Sequence, residues 1–253
     1  MKMGFYEHPE YYDILFDWDR SAEIEFISKC LKAHEVSVGQ DVLEIAAGTG
    51  LAAIPMAQLG WNVIALDYSQ KMLDVLNEKS KKVGVHSLIS LKLADMLKFS
   101  MTEKVNAAFC TIGSIGLLDK PEFLVDHLKA LRENMNEGGI YVIDVALTDE
   151  KTHRTDYGEI IWSMERDGIL VEAEGGKVYV NQPDCEELKF DWEMAPYEFN
   201  QKDFFDLIKE SKSFKIMDCY PEKELTEDGV SVFDLAVKDE SPTTRTMVVL
   251  KAL

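Results

Sequence analysis

Two carboxylates and a run of small residues hold the chemistry that this sequence can offer. Asp41-Val-Leu-Glu-Ile-Ala-Ala-Gly-Thr-Gly50 reads as a short buried strand, a tight turn and the start of a helix. Glycine and alanine let a ligand approach the backbone closely, and a helix start presents N–H groups without partners. Seventeen residues beyond Gly50 the next apolar run ends in Asp67. A carboxylate there can accept both hydroxyls of a ribose, the use this position has in nucleotide-binding α/β folds. A third run leads into Ala94-Asp95-Met96, where a second carboxylate can accept from an adenine amino group. Alone, a glycine turn or one aspartate is as often packing or a cap. Together, closing three successive strands, they mark the carboxyl edge of an open α/β sheet, where ligands sit.

That edge exists only if parallel strands and crossover helices position it, and the patterning supplies both. Residues 8–34 read as an N-terminal helical segment, with Ile24, Ile27, Cys30 and Leu31 on one face. Strands are expected at 41–46, 62–67, 88–93, 105–111 and 140–146. Helices are expected at 51–59, 70–83 and 121–134, and Glu137-Gly138-Gly139 reads as a turn. Apolar runs alternating with helical segments predict a parallel sheet. Beyond Leu147 the pattern changes to short strands at 160–165, 169–173, 177–180 and 188–193, with Asp167-Gly168 and Gly175-Gly176 as hairpin turns. A helix returns at 201–212, and strands at 214–220, 230–237 and 244–251 close the chain. The expected organisation is one domain made of 1–147 and 200–253, carrying an inserted antiparallel β subdomain at 148–199.

Composition narrows the partners. The 253 residues carry 46 acidic and 27 basic side chains, a net charge of −19. Such a chain repels phosphate backbones and anionic membranes, which argues against nucleic acid and lipid surfaces. Residues 146–253 hold 25 of the acids and 13 of the bases. That excess reads as a solvated surface or as an acidic wall that attracts a cationic amine. The four cysteines, Cys30, Cys110, Cys185 and Cys219, form no CxxC pair, so no zinc spacing is present. Unpaired thiols, no apolar signal segment at the start and no apolar run near ~20 residues lead to the expectation of a cytoplasmic protein with no membrane span.

The chain resembles the class I S-adenosylmethionine-dependent methyltransferases, and within them the small-molecule N-methyltransferases. Glu44-Ile-Ala-Ala-Gly-Thr-Gly50 is similar to that family's motif I, with Ala46 where glycine is usual. Leu66 to Leu73, Ala94-Asp95-Met96 and Phe109 to Ser114 are similar to the segments after strands two, three and four. The resemblance implies a Rossmann-like, seven-stranded sheet in the order 3-2-1-4-5-7-6, with the last strand antiparallel. It implies S-adenosyl-L-methionine as cofactor. Glu44 and the backbone at Ala46 and Gly48 would hold the methionine end, and Asp67 the ribose. Tyr68 and Met72 would flank the adenine, Asp95 would accept from its amino group beside Met96, and Thr111 would pass beneath the methionine part. Ala46 fits that turn if its φ is negative. Tyr11 to Arg20 resembles the N-terminal segment of small-molecule N-methyltransferases. There Tyr11 and Tyr12 would close over the cofactor, and Arg20 would meet the methionine carboxylate, or else pair with Asp17 or Glu23.

The expected function is methyl transfer to a small-molecule acceptor, with an amine favoured. Asp149, Glu150 and His153 lie just past strand five and are the candidate bases, or else surface loop residues. Trp162, Trp192, Tyr157 and Tyr197 could cage a methylated cation or form the insertion's own core. The insertion would be a lid over the acceptor or an interface in a homo-oligomer. The N-P-P-[YF] tetrapeptide of nucleic-acid amino-methylating enzymes is absent, since Thr111-Ile-Gly-Ser114 stands there. Two alternatives stay open. One is an NAD(P)-binding oxidoreductase, whose G-x-G-x-x-G register the turn does not complete. The other is a non-catalytic cofactor-binding protein.

Overall fold

The computed structural model describes residues 4–155, 160–192, 196–223 and 233–253. Short strands with almost continuous burial form the centre of the molecule. They are β1 (Asp41–Ile45), β2 (Asn62–Asp67) and β4 (Val105–Cys110), while β3 (Ile89–Leu93) is half-exposed at an edge. Burial on both faces is what parallel strands covered by helices require. Those strands pair in parallel with one another, and β4 pairs in parallel with β5 (Met135–Thr148). At the other edge β13 (Arg245–Ala252) runs antiparallel to both β5 and β12 (Phe214–Pro221). The order β12-β13-β5-β4-β1-β2-β3 is the expected 3-2-1-4-5-7-6 arrangement read from the opposite edge.

Helices cover both faces. On one side α2 (Ser21–Ala33), α3 (Ala53–Gln58) and α4 (Gln70–Lys82) bury Ile27, Leu31, Met56 and Leu76 against Val42, Val63 and Val249. On the other, α5 (Phe123–Glu133) and α6 (Gln201–Ser211) bury Leu124, Leu128, Phe204 and Ile208 against Leu43, Ile143 and Leu250. After β5 come the short strands β6 (His153–Arg154), β7 (Ile160–Arg166), β8 (Ile169–Glu174), β9 (Lys177–Asn181), β10 (Leu188–Asp191) and β11 (Tyr197–Asn200). β7 to β10 form a separate antiparallel sheet. Both glycine-containing pairs expected to turn its hairpins do so, with positive φ at Asp167, Gly168, Gly175 and Gly176, the conformation of a type I′ turn. β11 instead pairs in parallel with the end of β5, and β6 pairs with β11.

Three local expectations are corrected. The N-terminal segment is two helices, because α1 (Pro9–Leu15) stops before residues 16–20. Asp19 accepts the Ser21 N–H at 2.8 Å and marks the start of α2. Glu137-Gly138-Gly139 lies within β5 as a bulge, between the pairs Val105–Met135 and Ala107–Ile140. A Cβ at Gly139 would lie 2.9 Å from the Met135 side chain and 3.0 Å from the Asn136 carbonyl, so any side chain there would have to displace both. The strand expected at 230–237 is absent over its described part, 233–237; residues 230–232 lie outside the described residues, as does Glu193 of the strand expected at 188–193.

α1 connects the two sheets. Phe5, Ile14, Leu15 and Phe16 are buried with Val171, Val180, Phe190 and Trp192 of the insertion, forming a third apolar cluster. The N-terminal segment therefore lies between the insertion and the carboxyl edge of the large sheet, and this arrangement builds the site.

Candidate active site

Two adjoining cavities open at the carboxyl edge of the large sheet. The first is lined by Ala46, Gly48, Asp67, Tyr68, Met72 and Met96, among others. The glycine turn makes its floor. Gly48 has φ +53°, and a Cβ added there would lie 3.8 Å from the Tyr12 ring, so Tyr12 covers the turn. Ala46 also has a left-handed backbone, φ +56°, so the negative φ expected for an alanine is not met. An L-residue held there carries roughly 1–2 kcal/mol of strain.

Asp67 is 6% exposed. Its two oxygens accept the Gly48 N–H and the Ser69 N–H, each at 2.8 Å. Burial raises its pKa, and these N–H groups oppose the shift. One carboxylate thus fixes both the glycine turn and the start of α4, takes a third N–H from Tyr68, and lines the cavity. Glu44 is buried behind the turn. It takes the Ala53 N–H, and its pKa is pushed well above the usual carboxylate range by burial and then by Asp67. Its Oε2 has no hydrogen-bond partner among the described residues. Arg20 is also buried, 4.0 Å above the Trp18 ring, and its Nε has no hydrogen-bond partner among the described residues. Its contacts to Glu23 (3.5 Å) and the Phe16 carbonyl (3.4 Å) are long.

The second cavity, about 290 Å³, lies against the first, and Tyr6, Tyr12, Ser114 and Leu117 line both. Its walls are aromatic: Phe16, Trp18, Trp162 and Trp192, together with the two shared tyrosines. Its polar end is Asp144 and Arg245. Arg245 holds Asp144 through two N–H bonds of 3.0 and 2.7 Å, and meets Glu23 at 2.9 Å and Glu222 at 3.5 Å. Ile112 and Gly113 line it with consecutive positive φ values of 58° and 60°. A β-branched residue rarely adopts that conformation, and strain of this kind gathers at functional edges.

The N-terminal segment is fastened on both sides. Asp13 accepts from the Thr49 hydroxyl and pairs with Lys79 at 2.8 Å, which ties α1 to the glycine turn and α4. The Trp162 indole donates to the Leu15 carbonyl at 2.9 Å, the Trp192 indole to the Tyr6 hydroxyl at 3.0 Å, and Arg166 meets Asp17 at 3.2 Å.

Of the sequence-derived candidates, Tyr12, Ala46, Gly48, Asp67, Tyr68, Met72 and Met96 converge on the first cavity. Glu44, Arg20 and Thr111 are buried outside its lining. Asp95 is exposed at the turn after β3, accepting the Leu97 N–H at 2.8 Å, and only its neighbour Met96 lines the cavity. The three candidate bases are not brought to the second cavity. Asp149 and Glu150 are exposed with their carbonyls bound by the Asn200 side chain, and the His153 ring meets the Lys151 carbonyl. Pairing of β11 with the end of β5 carries that loop away from the cavity. Trp162 and Trp192 do line it, whereas Tyr197 lies under the Arg154 guanidinium at 3.6 Å, and Tyr157 lies outside the described residues. Sequence reasoning missed Asp144 and Arg245. The available signal was a lone acid in the apolar run Ile140–Ala146 and a lone base opening the final apolar strand.

Residues 42–139 match the family described as a methyltransferase domain. A demethylmenaquinone methyltransferase of Lactobacillus johnsonii is 35% identical over 97 residues, 37% of this chain and 39% of its own. The curated relatives are matched over only 17% to 39% of their own length. An S-adenosylmethionine-dependent methyltransferase of Clostridium acetobutylicum superposes with a TM-score of 0.68 at 20% identity, over 97% of each chain. The amino pentose methyltransferase CalS10 of Micromonospora echinaspora, solved with S-adenosylmethionine bound, superposes with a TM-score of 0.65 at 14% identity, over 94% of this chain and 93% of that one. Residues 42–139 thus match the methyltransferase-domain family, and the chain as a whole has the fold of the S-adenosylmethionine-dependent methyltransferases.

Proposed function

We propose that this protein transfers a methyl group from S-adenosylmethionine to a small-molecule amine. The observation that carries this reading is the meeting of the two cavities across Tyr6, Tyr12, Ser114 and Leu117. One cavity offers a glycine turn and a carboxylate suited to a nucleoside, and the other is a small aromatic chamber. The residues fit the cofactor. Asp67 lines the cavity as an acceptor for a ribose hydroxyl, and Met72, Met96 and Tyr68 supply apolar surface for a base. The unpartnered Glu44 Oε2 and Arg20 Nε suit the ammonium and carboxylate of an amino acid. CalS10 is named an amino pentose methyltransferase and MtfA, a further structural neighbour, a glycopeptide N-methyltransferase, which agrees with the acceptor proposed.

When bound, the cofactor supplies an electrophilic methyl on a sulfonium with a neutral leaving group. The protein's part is alignment and exclusion of water. Tyr12 covers the turn, the Asp13–Thr49–Lys79 contacts hold α1 over it, and Trp162 and Trp192 wall the acceptor side. The insertion in this reading is a fixed wall that sets acceptor shape. Incubation with methyl-labelled S-adenosylmethionine and a panel of aliphatic amines, alcohols and phenols tests the proposal. Label should appear in amines. Transfer to phenols or alcohols alone would overturn the amine assignment.

A further inference from the structure

We propose that the acceptor is a tertiary aliphatic amine, and that the aromatic corner of Phe16, Trp18, Trp162 and Trp192 holds the quaternary ammonium it becomes. The proposal rests on the methyltransferase reading and deepens it. Its first support is geometric. Trp18 and Trp162 meet at 90°, Trp162 and Trp192 at 82°, and Phe16 and Trp192 at 88°, with centroids 5.2–6.4 Å apart. Rings set at right angles around one space present π surface from more than one direction, which suits a compact alkylated cation. Both insertion indoles spend their N–H groups elsewhere, on the Leu15 carbonyl and the Tyr6 hydroxyl. What they give the cavity is ring surface, with no donor for a neutral polar acceptor.

Charge points the same way. The polar end of the cavity gathers three carboxylates, Asp144, Glu23 and Glu222, around Arg245, and Arg20 lies on the far side of Glu23. Two guanidiniums are matched by three carboxylates, of which Glu23 has its pKa raised by burial, so the Arg245 charge is neutralised at this end of the chamber. Trp18 already holds one cation, the Arg20 guanidinium, at 4.0 Å. A chamber of about 290 Å³ lies at the small end for ligand sites, which limits the acceptor to a few alkyl groups around nitrogen.

The chemistry closes the argument. An ammonium that keeps an N–H calls for a hydrogen-bond acceptor, and among the described residues lining the cavity the one carboxylate, Asp144, is already paired with Arg245. Both Asp144 oxygens are engaged by Arg245. Burial pushes the Tyr6 hydroxyl up to about 12 and raises Tyr12 further, so both stay protonated. Asp149, Glu150 and His153 lie outside the cavity. The free base of a tertiary amine has no N–H, and neither has its methylated product. Its lone pair forms the N–C bond, the C–S electrons remain on sulfur, and the positive charge moves from sulfur to nitrogen, where no deprotonation can remove it.

Calorimetry separates this from its rivals, using choline and its uncharged isostere 3,3-dimethylbutan-1-ol as probes on protein saturated with S-adenosylhomocysteine. Choline should bind roughly tenfold or more tightly than the isostere, the advantage of a desolvated cation–π contact. Trp162→Leu should remove most of that preference, while S-adenosylhomocysteine binding, weakened no more than severalfold by the lost tie to Leu15, shows the variant is folded. Trp162→Phe should keep part of it. Equal binding of the two probes, no choline binding, or a preference unchanged in Trp162→Leu overturns the proposal. If S-adenosylhomocysteine fails to bind the wild type while choline keeps its preference, the methyltransferase reading falls and the cation site stands.

Discussion

Replacing Asp67 by alanine removes one carboxylate with two separable duties. Within the protein it accepts the Gly48 and Ser69 N–H groups at 2.8 Å each, from a position 6% exposed. Toward a ligand it lines the cavity, and with three N–H groups on its two oxygens it keeps acceptor capacity for a ribose hydroxyl. Hydrogen bonds to a charged group contribute about 1.5–3 kcal/mol, so loss of the ribose acceptor should weaken S-adenosylhomocysteine binding by roughly tenfold to a hundredfold. The orphaned N–H groups cost about 1–3 kcal/mol each where water cannot reach them. Relief of a buried carboxylate offsets part of that, and the net fall in Tm should be a few degrees, at roughly 2–4 °C per kcal/mol for a chain of this size. Asp67→Asn, which keeps one oxygen, should fall between the wild type and Asp67→Ala in affinity. Titration calorimetry on each variant, with a melting curve to confirm folding, gives both quantities. A folded Asp67→Ala protein with unchanged affinity would refute the ribose role.

Four further outcomes follow from the geometry. Asp95→Ala should weaken cofactor binding less than Asp67→Ala, because Asp95 is exposed and outside the cavity lining; a larger loss, seen by the same calorimetry, would show that it reaches the adenine. Ala46→Gly should stabilise the protein by about 1 kcal/mol in urea unfolding, since glycine removes the strain of φ +56° and gives back part of that gain through a freer unfolded chain. Glu44 binds its proton more tightly in the folded chain than in the unfolded one, so its contribution to stability is full below the ordinary carboxylate range and is lost as pH climbs through the raised folded value; Glu44→Gln should therefore raise Tm above that folded value and leave it unchanged in acid. Asp13→Asn, which weakens the tie of α1 to Lys79 and Thr49, should lower cofactor affinity severalfold and speed its release in stopped-flow dissociation.

The sequence made legible what local chemistry encodes. The glycine turn, Asp67 and Met96 each sit at the end of an apolar strand, so strand periodicity alone brought them to one edge. The type I′ turns were legible because Asp167-Gly168 and Gly175-Gly176 tolerate positive φ. The same logic failed at Gly138-Gly139, where glycine serves a bulge inside β5, a distinction set by the neighbouring strand. The sign of φ at Ala46 was also hidden, because the turn is held from a distance by the Asp67 carboxylate. Asp144 and Arg245 are 101 residues apart and meet only through the antiparallel register of β5 and β13. Asp149, Glu150 and His153 take their surface-loop alternative for a similar reason: short pairing between β11 and β5, invisible as a pattern, sends their loop outward. The acceptor chamber depends on α1 packing against the insertion, a contact between segments roughly 150 residues apart that no local signal encodes.

The central claim is that the edge formed by Ala46, Gly48 and Asp67 is a site for S-adenosylmethionine rather than for a dinucleotide. Titration of the wild-type protein with S-adenosylhomocysteine and, separately, with NADH and NADPH tests it most directly. The account predicts one S-adenosylhomocysteine bound per chain and no heat from either nicotinamide nucleotide. Absence of S-adenosylhomocysteine binding, or tighter binding of a nicotinamide nucleotide at the same edge, would contradict it.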